Sequence, residues 1–127
     1  MKRDMTLVRK ILRWAIEQEH GYLDGNPELE GYSEEVIGYH VYLMAQAGLV
    51  QGAGASTLGD SSPVGLLTEV TWAGHDFADA AKDDQLWRKA SKTILKEGAS
   101  FSFDLLKQWL LVQGQQQLGL PLTLGHS

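Results

Sequence analysis

The sequence predicts a mainly α protein with one small β-hairpin, an α+β chain. Apolar residues recur at three- and four-residue spacings in several separate segments, the mark of amphipathic helices. Between Leu49 and Val70 that period is lost, and two short branched runs flank a small polar stretch, as in a hairpin. Gly, Asn, Pro and short polar residues punctuate the joins.

Asp4 begins the first helix, because its carboxylate can accept a first-turn N–H. Leu7, Val8, Ile11, Leu12, Ala15 and Ile16 form its buried face, and His20-Gly21 ends it. Asp24-Gly25-Asn26-Pro27 is turn chemistry, so positions 21 to 32 form a loop with a short strand near Leu29. Ser33 caps the second helix, with Glu34 and Glu35 at the positive end of its dipole. Val36, His40, Leu43 and Ala47 give its apolar stripe, widened by Ile37 and Met44, and Gly48 stops it. Leu49-Val50-Gln51 and Val64 to Val70 are the strands, and "GAGASTLGDSS" at 52 to 62 is a long flexible tip. Thr71 caps a helix opening "TWAGHDFADA", Asp83 or Asp84 starts another to about Glu97, and "FSFDLLKQWLLV" is the last.

With 127 residues, 43% hydrophobic and 21% charged, the chain is long enough to bury a core without staples. It has no cysteine, which excludes disulfides and thiolate metal sites. Its apolar runs are too short to span a membrane and the amino terminus lacks a signal peptide's apolar core, so a soluble cytoplasmic protein is expected.

Helix, loop, a helix ending in Ala47-Gly48-Leu49-Val50, hairpin and threonine-capped helix follow the order of a winged helix-turn-helix domain. That core is expected over 1–97, with residues 98–127 as an amphipathic helix and tail packed on it or in a dimer interface. A second resemblance covers nearly the whole chain. "MKRDMTLVRKIL", "GYSEEVIGYHVYLMAQAGLV", "TWAGHDFADAAKDDQLW" and "LGL" are similar to a family of small, functionally uncharacterised proteins of bacteriophages and prophages. The resemblance implies a mobile-element accessory protein with a winged-helix-like core, and brings no catalytic or binding residues.

Charge narrows the function. None of the eleven Lys and Arg residues falls between Trp14 and Ala81, whereas eleven of the sixteen Asp and Glu residues do. A major-groove reader places cationic or amide side chains on its recognition helix and cations on its wing. Here the second helix offers Glu34, Glu35, Gly38, Tyr39, Tyr42 and Gln46 outward and the wing offers Asp60, which would repel phosphate. Glu34, Glu35, Tyr39, Tyr42 and Gln46 are therefore the candidate protein-binding face, since tyrosine joins large contact area to a polar tip; an ordinary solvated acidic face is the plainer alternative.

The cations Arg9, Lys10 and Arg13 on the first helix and Arg88, Lys89, Lys92 and Lys96 on the fourth form the candidate nucleic-acid stripe of the alternative function, a dimeric winged-helix regulator. Phe103, Leu106, Trp109 and Leu110, in a last helix apolar on more than one face, are the candidate dimer helix. The expected partner is a host or phage protein, with a homodimer open and no cofactor.

An enzyme is not expected. His20, His40, His75 and His126 have no metal-ligand spacing. His75, beside Trp72 and Phe77, is expected to pack or cap, and the wing glycines lack the lysine and following helix of a phosphate loop.

Overall fold

The computed structural model describes residues 1–95, 103–117 and 119. Among them the elements run α1 (Met5–Ile16), α2 (Glu34–Gln46), β1 (Val50–Gly54), β2 (Gly65–Val70), α3 (Trp72–Ala80), α4 (Asp84–Thr93) and α5 (Phe103–Gln117). The chain is mainly helical with one antiparallel hairpin, the α+β class that the sequence predicts. It divides into two compact units, Met1–Ala78 and Asp79–Ser127. The fourth helix thus groups with the fifth, and the division falls earlier than the expected 97/98 boundary.

In the first unit α1 starts as predicted. Asp4 Oδ1 accepts the N–H groups of Thr6 and Leu7 at 3.0 and 3.1 Å, satisfying donors that the first turn leaves unpaired. Leu7, Val8, Ile11, Leu12 and Ala15 are buried, but Ile16 is 38% exposed. Each four-residue step along a helix overshoots a full turn by roughly 40°, so the row through Val8 and Leu12 has rotated off the packed face by Ile16. The helix also ends there, with Glu17 as its C-cap, four residues before the expected Gly21.

Ser33 caps α2, accepting the Val36 N–H at 3.2 Å. Its buried residues are Ile37, Gly38, His40, Val41 and Met44; Val36 and Leu43 are half-buried and Ala47 is exposed. The packed stripe is displaced from the predicted Val36–His40–Leu43–Ala47 row because the hairpin lies along Gly38 and Val41. A Cβ on Gly38 would stand 2.7 Å from Val64 Cγ1, so Gly38, expected to face outward, is roofed by the residue that leads into β2. Gly48, at φ +78°, turns the chain out of α2 into β1 as expected.

The hairpin pairs Val50 with Val70 and Gly54 with Gly65, with a bulge between Gln51 and Gly52. Hydrogen bonds lace its tip: Thr57 N–H donates to Asp60 Oδ2 at 2.7 Å, Val64 N–H to Ser56 Oγ at 2.8 Å and Ser62 Oγ to Glu35 Oε1 at 3.0 Å. The long tip expected to be flexible is tied to itself and to α2.

No strand forms near Leu29. The segment before α2 instead lies on the edge of β2: Leu23 N–H donates to the Thr68 carbonyl at 2.8 Å. Asn26 acts there as a substitute backbone, its amide donating to the Gly65 carbonyl at 2.8 Å and its Oδ1 accepting the Leu67 N–H at 2.9 Å. This covers ladder groups that an open edge would leave bare. Thr71 Oγ1 accepts the Gly74 N–H at 3.1 Å, the predicted cap of α3.

The second unit repeats the capping logic: Asp83 Oδ1 accepts the Leu86 N–H at 3.0 Å. Leu86, Trp87 and Ala90 of α4 and Leu106 and Leu110 of α5 are buried, and the two helices pack together.

Candidate functional site

The exposed face of α2 brings together the residues expected to bind protein. Glu35, Tyr39, Tyr42 and Gln46 follow at spacings of four, three and four and so share one side of the helix. The Tyr39 and Tyr42 rings stack with centroids 6.3 Å apart. Gln46 Nε2 donates to the Tyr42 hydroxyl at 3.1 Å, and Ser62 of the hairpin tip donates to Glu35. Glu34, Glu35 and Gln46 are exposed, while the two tyrosines are half-buried. Glu34 and Glu35 border an open pocket of about 470 Å³ that is also lined by Thr57, Asp60 and Ser62. Among the described residues its ionisable groups are the carboxylates of Glu34, Glu35 and Asp60, so it suits cationic and hydrogen-bond-donating chemistry.

The residues of the candidate cationic stripe differ in exposure. Arg9 is 9% exposed and belongs to the packed side of α1. Lys10 is exposed but turns over the Tyr32 ring, 5.5 Å from its centroid, a cation–π contact. Arg13 is exposed, and so are Arg88, Lys89 and Lys92 on α4, with Lys89 Nζ 3.5 Å from Gln113 Oε1. The first-helix and fourth-helix cations belong to different units. Lys96 lies outside the described residues, as does Phe101.

On the dimer-helix candidate, Leu106 and Leu110 are buried within the chain, and Phe103 and Trp109 are half-buried. The apolar side chains that α5 leaves exposed are Leu105 and Leu111.

One histidine differs from expectation and another holds a partner that the sequence did not show. His75, expected to pack or cap, is exposed on α3 because Gly74 and Phe77 take the buried side of that helix. His40, one of the stripe residues, is nearly fully buried and acts as a connector. Its Nε2 accepts the Asp4 N–H at 2.9 Å and its Nδ1 lies 2.8 Å from the Val36 carbonyl. A backbone N–H can only donate, so the imidazole carries its proton on Nδ1 and gives it to Val36. Asp4 also holds Tyr32: burial first, then the Asp4 charge and a hydrogen bond to the Asp4 carboxylate, push the phenol above its usual 10.0.

A second concavity escaped the sequence: a cleft of about 950 Å³ between the end of α1, β2 and α3, bordered by Ile16, Tyr22, Glu69, Val70 and His75. The signals for it were Ile16, an apolar residue at the edge of its helical row, and Tyr22, an aromatic in a polar loop. Among the described residues no group of three or more His, Asp or Glu side chains is placed to hold a metal ion.

Comparison with known proteins places the chain. The family described as "Hypothetical protein (DUF2513)" matches residues 2–100, which takes in α1 to α4 and most of the sequence. The chain belongs to this family. An uncharacterized protein of Haemophilus influenzae is 31% identical over 109 residues, covering 85% of this chain and 91% of that protein. A segment of the rat Protein Z-dependent protease inhibitor is 30% identical over 70 residues, covering 52% of this chain but 16% of the inhibitor, so it bears on a fragment of that protein only. No solved structure matches. The family match embraces the α2 face, the hairpin and the cleft, and its description assigns no activity to them. Among the described residues no helix is long and apolar enough to cross a membrane.

Proposed function

We propose that the protein is a non-covalent binding module with a winged-helix core, and that the exposed face of α2 engages a protein partner. The observation that carries this is the composition of that face: Glu34, Glu35, Tyr39, Tyr42 and Gln46 stand there without a Lys or Arg, and the wing covers Gly38 beside them. A groove-reading helix needs its outward side clear and attractive to phosphate. Stacked tyrosines ringed by carboxylates favour a partner with a basic surface, because complementary charge speeds encounter and aromatics supply buried area.

The winged assignment draws support from the element order, from Gly48 and Thr71 at their expected joints, and from the Leu23–Thr68 bond, which lays the preceding segment on the edge of the hairpin. The likeness of the amino-terminal, Gly-Tyr-Ser-Glu-Glu and Thr-Trp-Ala-Gly-His-Asp-Phe segments to phage and prophage proteins supports a mobile-element accessory protein acting in a bacterial cytoplasm. In that setting an acidic α2 face would occupy the basic cleft of a host enzyme or defence complex. Binding rather than turnover is the proposed mode of action.

A second function has its own observation: Arg88, Lys89 and Lys92 are all exposed on α4 at neighbouring helical positions. A dimeric regulator contacting DNA through them is the alternative. Charge reversal separates the two. With Glu34→Lys/Glu35→Lys, proteins captured from host extract by the wild-type chain are lost while circular dichroism is unchanged. Capture that survives this change, or duplex binding abolished by Arg88→Glu/Lys89→Glu, favours the regulator.

A further inference from the structure

The cleft between α1, β2 and α3 is separate from the α2 face and needs no part of it. Among the described residues its walls carry three carboxylates, Glu19, Asp24 and Glu69, and no lysine or arginine. Cationic relief is remote in sequence, since Lys and Arg are absent from 14 to 81. The ion pair that forms at its border is weak in geometry: His20 Nε2 stands 4.0 Å from Glu19 Oε2, with both side chains in solvent. Apolar surface lies between the acids. Ile16 is off the packed row of α1, Tyr22 is 82% exposed, and Val70 closes the end of β2. Acids around an apolar strip match one kind of side chain, a methylene stem ending in a cation, which covers apolar surface with its stem and carries charge at its tip.

We propose that this cleft docks a basic segment of another protein, with an arginine or lysine stem lying on Ile16, Tyr22 and Val70 and its head among Glu19, Asp24 and Glu69. Nucleic acid does not fit, because the phosphates would meet three carboxylates. The Tyr22 ring adds a cation–π face that favours arginine over lysine.

The test uses the full-length, ¹⁵N-labelled protein with a nonapeptide of alternating arginine and alanine at about 0.15 M salt, where distant surface charges are largely screened. Amide shifts are expected at Ile16 to Asp24 and Glu69 to His75. Tyr22→Ala and Glu69→Gln, both changes of exposed side chains, should each weaken binding about fivefold, in the range of partly exposed contacts. Glu34→Gln/Glu35→Gln removes the same kind of charge elsewhere and should leave the affinity unchanged, as should any failure of the α2 face to bind its own partner. Shifts confined to Glu34 to Gln46, equal losses in all three variants, undiminished binding by Tyr22→Ala, or a glutamate-for-arginine peptide binding as well would overturn the assignment. So would self-association abolished by Glu69→Lys, which would make a second copy of this chain the occupant.

Discussion

The backbone N–H of Asp4 donates to Nε2 of His40, 2.9 Å away and 36 positions along the chain. This bond joins the start of α1 to the middle of α2, and the His40 proton is spent on Val36, so both ring nitrogens are engaged. Removing the ring leaves a cavity and unmakes two hydrogen bonds in a nearly dry site. His40→Ala should therefore cost about 3 kcal/mol, read as a fall in the urea midpoint at unchanged slope. A loss below about 1 kcal/mol would mean that water replaces the ring.

Asp4 touches a second group, Tyr32, whose phenol is raised above 10.0. A folded-state pKa above the unfolded value leaves stability intact below pH 10.0 and withdraws it as pH rises through the folded value. Asp4→Asn keeps the helix cap, since Asn and Asp cap about equally, but removes the charge. Spectrophotometric titration should then show one tyrosine titrating lower and the alkaline loss of stability reduced; an unmoved titration would assign the shift to burial alone.

Gly74 and Gly48 should respond differently to alanine. A Cβ on Gly74 would collide with the Leu49 carbonyl oxygen, a backbone atom that cannot swing away, whereas Gly48 has open space and a positive φ. Gly74→Ala should cost about 3 kcal/mol, at the upper end of overpacking losses, and Gly48→Ala about 1 kcal/mol, the strain of a left-handed alanine. Thermal unfolding of both ranks them, and the reverse order would contradict the packing of α3 on the start of β1.

Asn26 stands in for a strand. Asn26→Ala removes both of its bonds to β2, so hydrogen exchange at the Leu67 amide should accelerate and stability should fall by about 2 kcal/mol. Unchanged protection of Leu67 would show that the edge is covered by other means.

Much of this was legible in the residues. Asp4, Ser33, Thr71 and Asp83 announce the helix starts because a short side-chain oxygen before an apolar period has few other uses. The exposed α2 face could be read from its spacing. What could not be read depends on tertiary placement. α2 is apolar enough to offer two adjacent stripes, and the hairpin selects the one through Val41 and covers Gly38. Arg9 reads as a surface cation until its side of α1 is packed. His75 faces solvent because Gly74 and Phe77 take the packed side of α3, while His40 keeps the buried place its stripe predicts and bonds the Asp4 N–H, a partner 36 positions away that spacing does not show. The loop at 21 to 32 has no period, and its order comes from Leu23 and Asn26 bonding to residues far along the chain.

The central claim is that α2 has the place of a recognition helix while its surface serves a protein. Binding of the purified chain to mixed-sequence duplex DNA across a salt series tests it most directly, with light scattering on the same sample for mass. The account predicts no binding even at low salt, and none gained by Glu34→Gln/Glu35→Gln. Tight binding by a dimer with a steep salt slope, lost with Arg88→Glu/Lys89→Glu, would contradict it and establish the regulator.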